Sequence, residues 1–107
     1  MSHLEEQFIS LWEYQHPNID LHREYRFHPK RRYRADFANI ESKVLVEIQG
    51  GIWGRNRTGH SSGTGIERDC EKFALAASEG WLVFPLSERM ITQEWLSAIA
   101  SSIEARR

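Results

Sequence analysis

Near the start of the chain, Leu4, Phe8, Leu11 and Trp12 recur at the spacing of one helical face. Ser2 followed three residues later by Glu5 has the form of a capping box, so the pattern predicts a helix over residues 3–15 that Pro17 and Asn18 terminate. The pattern then shortens to three stretches, 23–27, 34–39 and 43–49, that read as strands. His28-Pro29-Lys30 and Glu41-Ser42 separate them, and connections this short favour an antiparallel meander.

Residues 50–65 show neither periodicity. They hold six of the seven glycines together with Arg55, Arg57 and His60, and predict a long loop of the kind small domains keep for binding or catalysis. Ile66, Cys70, Phe73, Ala74 and Ala77 trace the next helical face, with Gly80 as a C-terminal stop before an apolar strand over 81–85. A helix between the third and fourth strands permits a parallel pairing through a right-handed crossover. Trp95, Ile99 and Ile103, spaced by four and preceded by Thr92 as N-cap, predict an amphipathic closing helix. The expected fold class is therefore α/β, a central mixed β-sheet of about four strands flanked by helices in the order α-β-β-β-α-β-α.

The 107 residues suffice for one compact domain spanning 1–107, and 40% hydrophobic with 27% charged residues excludes global disorder or a fibrous repeat. No apolar run approaches the roughly 20 residues of a membrane span. The N-terminus also lacks a basic segment followed by an apolar signal core, so the expectation is a soluble, cytoplasmic protein with no membrane partner. Cys70 stands alone, without a second cysteine for a disulfide or a zinc pair, and reads as a packing residue.

The net charge of −1 hides a strong asymmetry. Arg23, Arg26, Lys30, Arg31, Arg32 and Arg34 lie in one stretch opposed only by Glu24, and a local field of that sign suits a polyanion.

Two carboxylates stand where strands should be buried. Lys43-Val44-Leu45-Val46-Glu47-Ile48-Gln49 is nearly all apolar, as in a central strand, and alternation puts Leu45, Glu47 and Gln49 on one face. In the preceding strand Asp36 faces one side while Ala35 and Phe37 face the other. Neighbouring strands lie about 4.8 Å apart, so an aligned register makes Asp36 and Glu47 a carboxylate pair. An unpaired buried carboxylate costs several kcal/mol, which calls for a cation: Arg34, Lys43 or another base in a plain salt bridge, or a hard divalent ion such as Mg²⁺ that also accepts a phosphate oxygen.

Arg34-Ala35-Asp36-Phe37 followed by Val46-Glu47-Ile48-Gln49-Gly50-Gly51 resembles the PD-(D/E)XK, or restriction-endonuclease-like, superfamily. The resemblance is to the small single-domain bacterial and phage nucleases related to very-short-patch repair endonucleases. Glu24-Tyr25-Arg26-Phe27-His28-Pro29 and Glu67-Arg68-Asp69-Cys70-Glu71-Lys72 extend it over nearly the whole chain.

The resemblance implies a restriction-endonuclease-like core and a metal-dependent endonuclease that hydrolyses DNA phosphodiester bonds. It implies Mg²⁺, replaceable by Mn²⁺, held by Asp36, Glu47 and the Ile48 carbonyl, and assistance from a first-helix Glu. Glu5 borders the buried stripe and is chosen over Glu6. Gln49 departs from the family's Lys: an amide orients water or phosphate but carries no charge. Lys72 on the following helix is the candidate replacement. Arg31, Arg32, Arg34, Arg55, Arg57, His60 and Arg68 are candidate nucleic-acid contacts, which set affinity and salt dependence but not sequence choice. Trp53 either stacks on an unpaired base or folds back onto the core. The alternative is a binding module of the same fold that has lost cleavage, and either reading leaves room for a homodimer or for a partner protein that supplies specificity.

Overall fold

The computed structural model describes residues 2–50 and 63–107. Most of the predicted loop, including Trp53, Arg55, Arg57 and His60, lies outside the described residues.

Helix α1 (His3–Gln15) begins where Ser2, in extended conformation, accepts the Glu5 N–H at 3.0 Å on its Oγ. Strands β1 (His22–Arg26), β2 (Arg34–Asn39) and β3 (Val44–Gln49) follow, then α2 (Gly63–Ser78), β4 (Leu82–Ser87), a 3-10 turn over Glu88–Met90 and α3 (Gln93–Arg106). The four strands form one sheet in the order β1-β2-β3-β4, with the first two pairings antiparallel and β3 parallel to β4 from Val44↔Leu82 to Gln49↔Ser87. This is the α-β-β-β-α-β-α mixed sheet that the periodicity predicts.

The sheet is covered on both faces, which is why β3 is buried from Val44 to Ile48. Phe8 and Trp12 of α1 and Leu96, Ile99 and Ile103 of α3 cluster with Phe37, Val44, Val46 and Leu86 on one face. Ala76 of α2 joins Phe27, Ala35, Ala38, Leu45 and Trp81 on the other. Each fully buried side chain of this size contributes roughly 1.5–3 kcal/mol.

Two helices are turned relative to expectation. Cys70 and Ile66 of α2 are exposed, as are Ala74 and Ala77, while the inward side runs through Gly65, Asp69, Lys72, Phe73 and Ala76. The reason is ionic: the sheet end beneath α2 presents Glu47, and the helix turns a lysine toward it. In α3, Thr92 caps Trp95 N–H at 3.3 Å as expected, but Trp95 itself is 41% exposed and Leu96 takes the core position. Helix α2 also starts inside the glycine-rich stretch, at Gly63, and β4 runs on to Ser87. Pro85 within β4 removes no ladder bond of consequence because β4 is an edge strand among the described residues.

Candidate active site

Strands β2 and β3 pair at Asn39↔Val44, Ala38↔Leu45 and Phe37↔Val46. One further step of that register sets Asp36 opposite Glu47. There a side chain takes over: Asp36 Oδ2 accepts the Ile48 backbone N–H at 2.7 Å.

On the other flank, β1 pairs with β2 at Arg23↔Phe37 and at Tyr25↔Ala35, and Glu24 between them stands opposite Asp36 with φ +52°. The left-handed backbone reverses the strand's alternation. Arg23 lies over the Phe37 ring at 5.3 Å on the α1 side, whereas Tyr25, two residues on, meets Trp81 at 5.6 Å on the α2 side. Across the ladder Phe37 likewise belongs to the α1-side cluster and Ala35 to the α2-side cluster. The expectation that Ala35 and Phe37 share a face is therefore corrected, because the pleat breaks at the Glu24–Asp36 step. A non-glycine residue held in this region is strained, and such strain collects at functional sites.

The break gathers charge. One carboxylate oxygen each from Glu5 of α1, Glu24 of β1 and Asp36 of β2 lie within 4.8 Å of one another. Glu5 Oε1 is buried and has no hydrogen-bond partner among the described residues. Beside them Glu47, 5% exposed, is ion-paired through Oε1 with Lys72 Nζ. Burial pushes the Lys72 ammonium below its ordinary value of 10.5, an effect that the negative charges of Asp36 and Glu24 oppose. The adjoining cleft has a volume of about 340 Å³ and is lined by Glu5, Asp36, Glu47, Ile48 and Lys72 with Ser2, Leu4 and Gly50, while Glu24 stands exposed outside that lining. Gly50 permits the close approach, since a Cβ there would stand 3.1 Å from Leu4 Cδ1.

Of the residues singled out in the sequence, Glu5, Asp36, Glu47, Ile48 and Lys72 come together in this cleft. Gln49, half-buried at the end of β3, is not part of its lining. Sequence reasoning does not single out Glu24, whose signals are faint: it is the lone acid of a basic stretch, and only the register sets it opposite Asp36. Three carboxylates are hard oxygen donors suited to Mg²⁺ or Mn²⁺, and the unpartnered Glu5 oxygen fits such an ion. Asp36 belongs both to this set and to the expected one, whereas Glu47 is engaged by Lys72.

The candidate basic residues among those described lie outside the lining of the cleft. Arg31 pairs with Glu71 of α2 and lies over the Tyr33 ring at 5.4 Å; Arg32, Arg34 and Arg68 are exposed. Arg23 donates to Glu6 Oε1 at 3.2 Å.

No protein-family model matches the sequence, and no curated protein does. The fold, however, is shared with a nuclease domain of known structure. The chain superimposes on the homing endonuclease I-Bth0305I catalytic domain with a TM-score of 0.69, over 99% of this chain and 98% of that one, at 12% sequence identity. At that identity the likeness is one of architecture.

Proposed function

We propose that the chain is a single nuclease domain, residues 1–107, that hydrolyses DNA phosphodiester bonds with the help of Mg²⁺ or Mn²⁺. We place it as a divergent relative of the PD-(D/E)XK nucleases near the very-short-patch repair endonucleases. The observation that carries the proposal is the meeting of Glu5, Glu24 and Asp36 oxygens within 4.8 Å, drawn from three separate elements to the point where β2 and β3 part. Like charges brought this close repel, a cost that a bound divalent ion removes. The shared architecture with a homing endonuclease domain supports the reading.

Glu5, Glu24 and Asp36 would hold the ion, which when bound supplies a water of lowered pKa and neutralises charge on the phosphate. The chain's own groups do the rest. Lys72 sits on α2 with its amine at the cleft and brings a positive charge to a non-bridging phosphate oxygen, which a strand lysine would supply and the neutral amide of Gln49 cannot. Glu47 holds Lys72 in place before substrate arrives. Arg31, Arg32, Arg34 and Arg68, with Arg55, Arg57 and His60, contact the DNA backbone.

The test is incubation of purified protein with supercoiled, linear, branched and single-stranded DNA, in Mg²⁺, in Mn²⁺ and in chelator, beside the Asp36→Asn variant. Cleavage that requires metal and vanishes in the variant is expected. Binding without cleavage in every condition would leave a nucleic-acid-binding module in place of an enzyme.

A further inference from the structure

Apart from the carboxylate cleft, the surface bears a depression of about 410 Å³ lined by Lys30, Arg31, Arg32 and Tyr33. It lies in the turn between β1 and β2 and combines two chemistries: three cationic side chains and an aromatic ring that is half-buried against the α2-side core. Phosphate contacts alone need no aromatic floor. A ring beside cations suits a nucleotide whose base is free to stack, because every base has a π-face and every nucleotide a phosphate.

The turn is built to hold this shape without a ligand. His28 Nδ1 accepts the backbone N–H of Lys30 at 3.1 Å and of Arg31 at 3.0 Å, and Arg26 Nε donates to the Arg31 carbonyl at 3.1 Å. Fixing a loop in its bound form removes an ordering cost from binding. The Arg31 guanidinium already lies over Tyr33, so a planar cation occupies the place a base would take or extend.

The depression is also coupled to the cleft. Arg31 is held by Glu71, and the next residue of α2, Lys72, pairs with Glu47. Tyr33 immediately precedes β2, and Asp36 follows it by three residues, at most about 10 Å along the chain. One strand of nucleic acid can reach both.

We propose that this depression receives an unpaired nucleotide, base on Tyr33 and Arg31, phosphates on Lys30 and Arg32, and that the substrate is DNA carrying unpaired bases next to the cut. This rests on the nuclease reading above and narrows its substrate class.

The experiment measures binding of the full chain, in chelator so that nothing is cut, to a short duplex and to the same duplex with an unpaired segment containing 2-aminopurine. The wild-type protein is expected to prefer the unpaired probe by about ten-fold, the weight of one stacked base, and to quench the 2-aminopurine on binding. Tyr33→Leu, which keeps the apolar contact but not the ring, is expected to abolish both preference and quenching, and Tyr33→Phe to retain them. Equal affinity of the wild-type protein for the two probes, without quenching, overturns the inference while leaving the nuclease reading intact. Binding to neither probe overturns both. Because the quenching is read on the wild-type protein, the test stands even if Tyr33→Leu fails to fold.

Discussion

Asp36 Oδ2 accepts the backbone N–H of Ile48 at 2.7 Å, at the step where β2 and β3 cease to pair. One carboxylate thereby has two tasks. It completes the end of a ladder that would otherwise leave an amide orphaned, and it is fixed in rotation where Glu5 and Glu24 converge. A charge-assisted bond of this length is among the stronger ones a surface cleft can hold.

Those two tasks separate by substitution. Asp36→Asn keeps an oxygen for Ile48 and is expected to melt close to the wild-type temperature while cleavage falls by about a hundred-fold or more. Asp36→Ala loses the acceptor as well, and an unsatisfied amide there costs about 1–3 kcal/mol. Urea denaturation of the two variants, with a cleavage assay on each, checks this; equal stability of Asn and Ala variants would mean the Ile48 bond contributes little.

Glu24 offers a test in which stability and activity move in opposite directions. Its φ of +52° is one that glycine adopts freely and other L-residues at a cost of roughly 1 kcal/mol. Glu24→Gly is therefore expected to raise stability by up to about 1 kcal/mol and to lower both metal affinity and cleavage. Thermal melts with and without Mg²⁺ read both effects, and unchanged cleavage would remove Glu24 from the proposed ion site.

Lys72 and Glu47 are both largely buried, with side-chain exposures of 17% and 7%. Removing one partner of such a pair leaves a charge stranded, so Lys72→Met is expected to cost about 3 kcal/mol and the double variant with Glu47→Gln much less. The effect depends on pH with a definite sign. Burial lowers the folded-state pKa of Lys72 from 10.5, so between the folded value and 10.5 the unfolded chain holds a proton that the folded one has released. Stability from this group therefore rises with pH through that window, and the full burial penalty applies below it. The gap between wild type and Lys72→Met in urea unfolding should widen as the pH approaches 10.5; a gap that narrows would contradict the assignment.

Arg106 provides a control remote from the chemistry. At the end of α3 it donates Nε to the Ser42 carbonyl and Nη2 to the Gly80 carbonyl, both at 2.7 Å, tying the helix to two turns. Arg106→Met is expected to cost about 1–2 kcal/mol in chemical denaturation with cleavage per folded molecule unchanged.

How much of this was legible in the sequence depends on which force placed each residue. Phe8 and Trp12 lie where apolar spacing puts them, and the meander and the parallel fourth strand follow from turn lengths and the intervening helix. Asp36 and Glu47 announced themselves as acids in apolar strands. Periodicity assigns Ile66 and Cys70 of α2 to the core, whereas the helix is turned because the groove beneath offers a buried Glu that a cation satisfies. Glu24 is not legible in the sequence because a left-handed glutamate leaves no trace in spacing. It is recognisable once Arg23 and Tyr25, two residues apart in a strand, are found on opposite faces.

Strained Glu24 and Pro85 have a joint consequence for self-association. The two outer strands among the described residues are β1 and β4, and each is interrupted partway along, one by a kinked backbone and the other by an imino acid that cannot donate. Among the described residues, a second copy of the chain finds no unbroken rim on which to extend the sheet by pairing along its whole length.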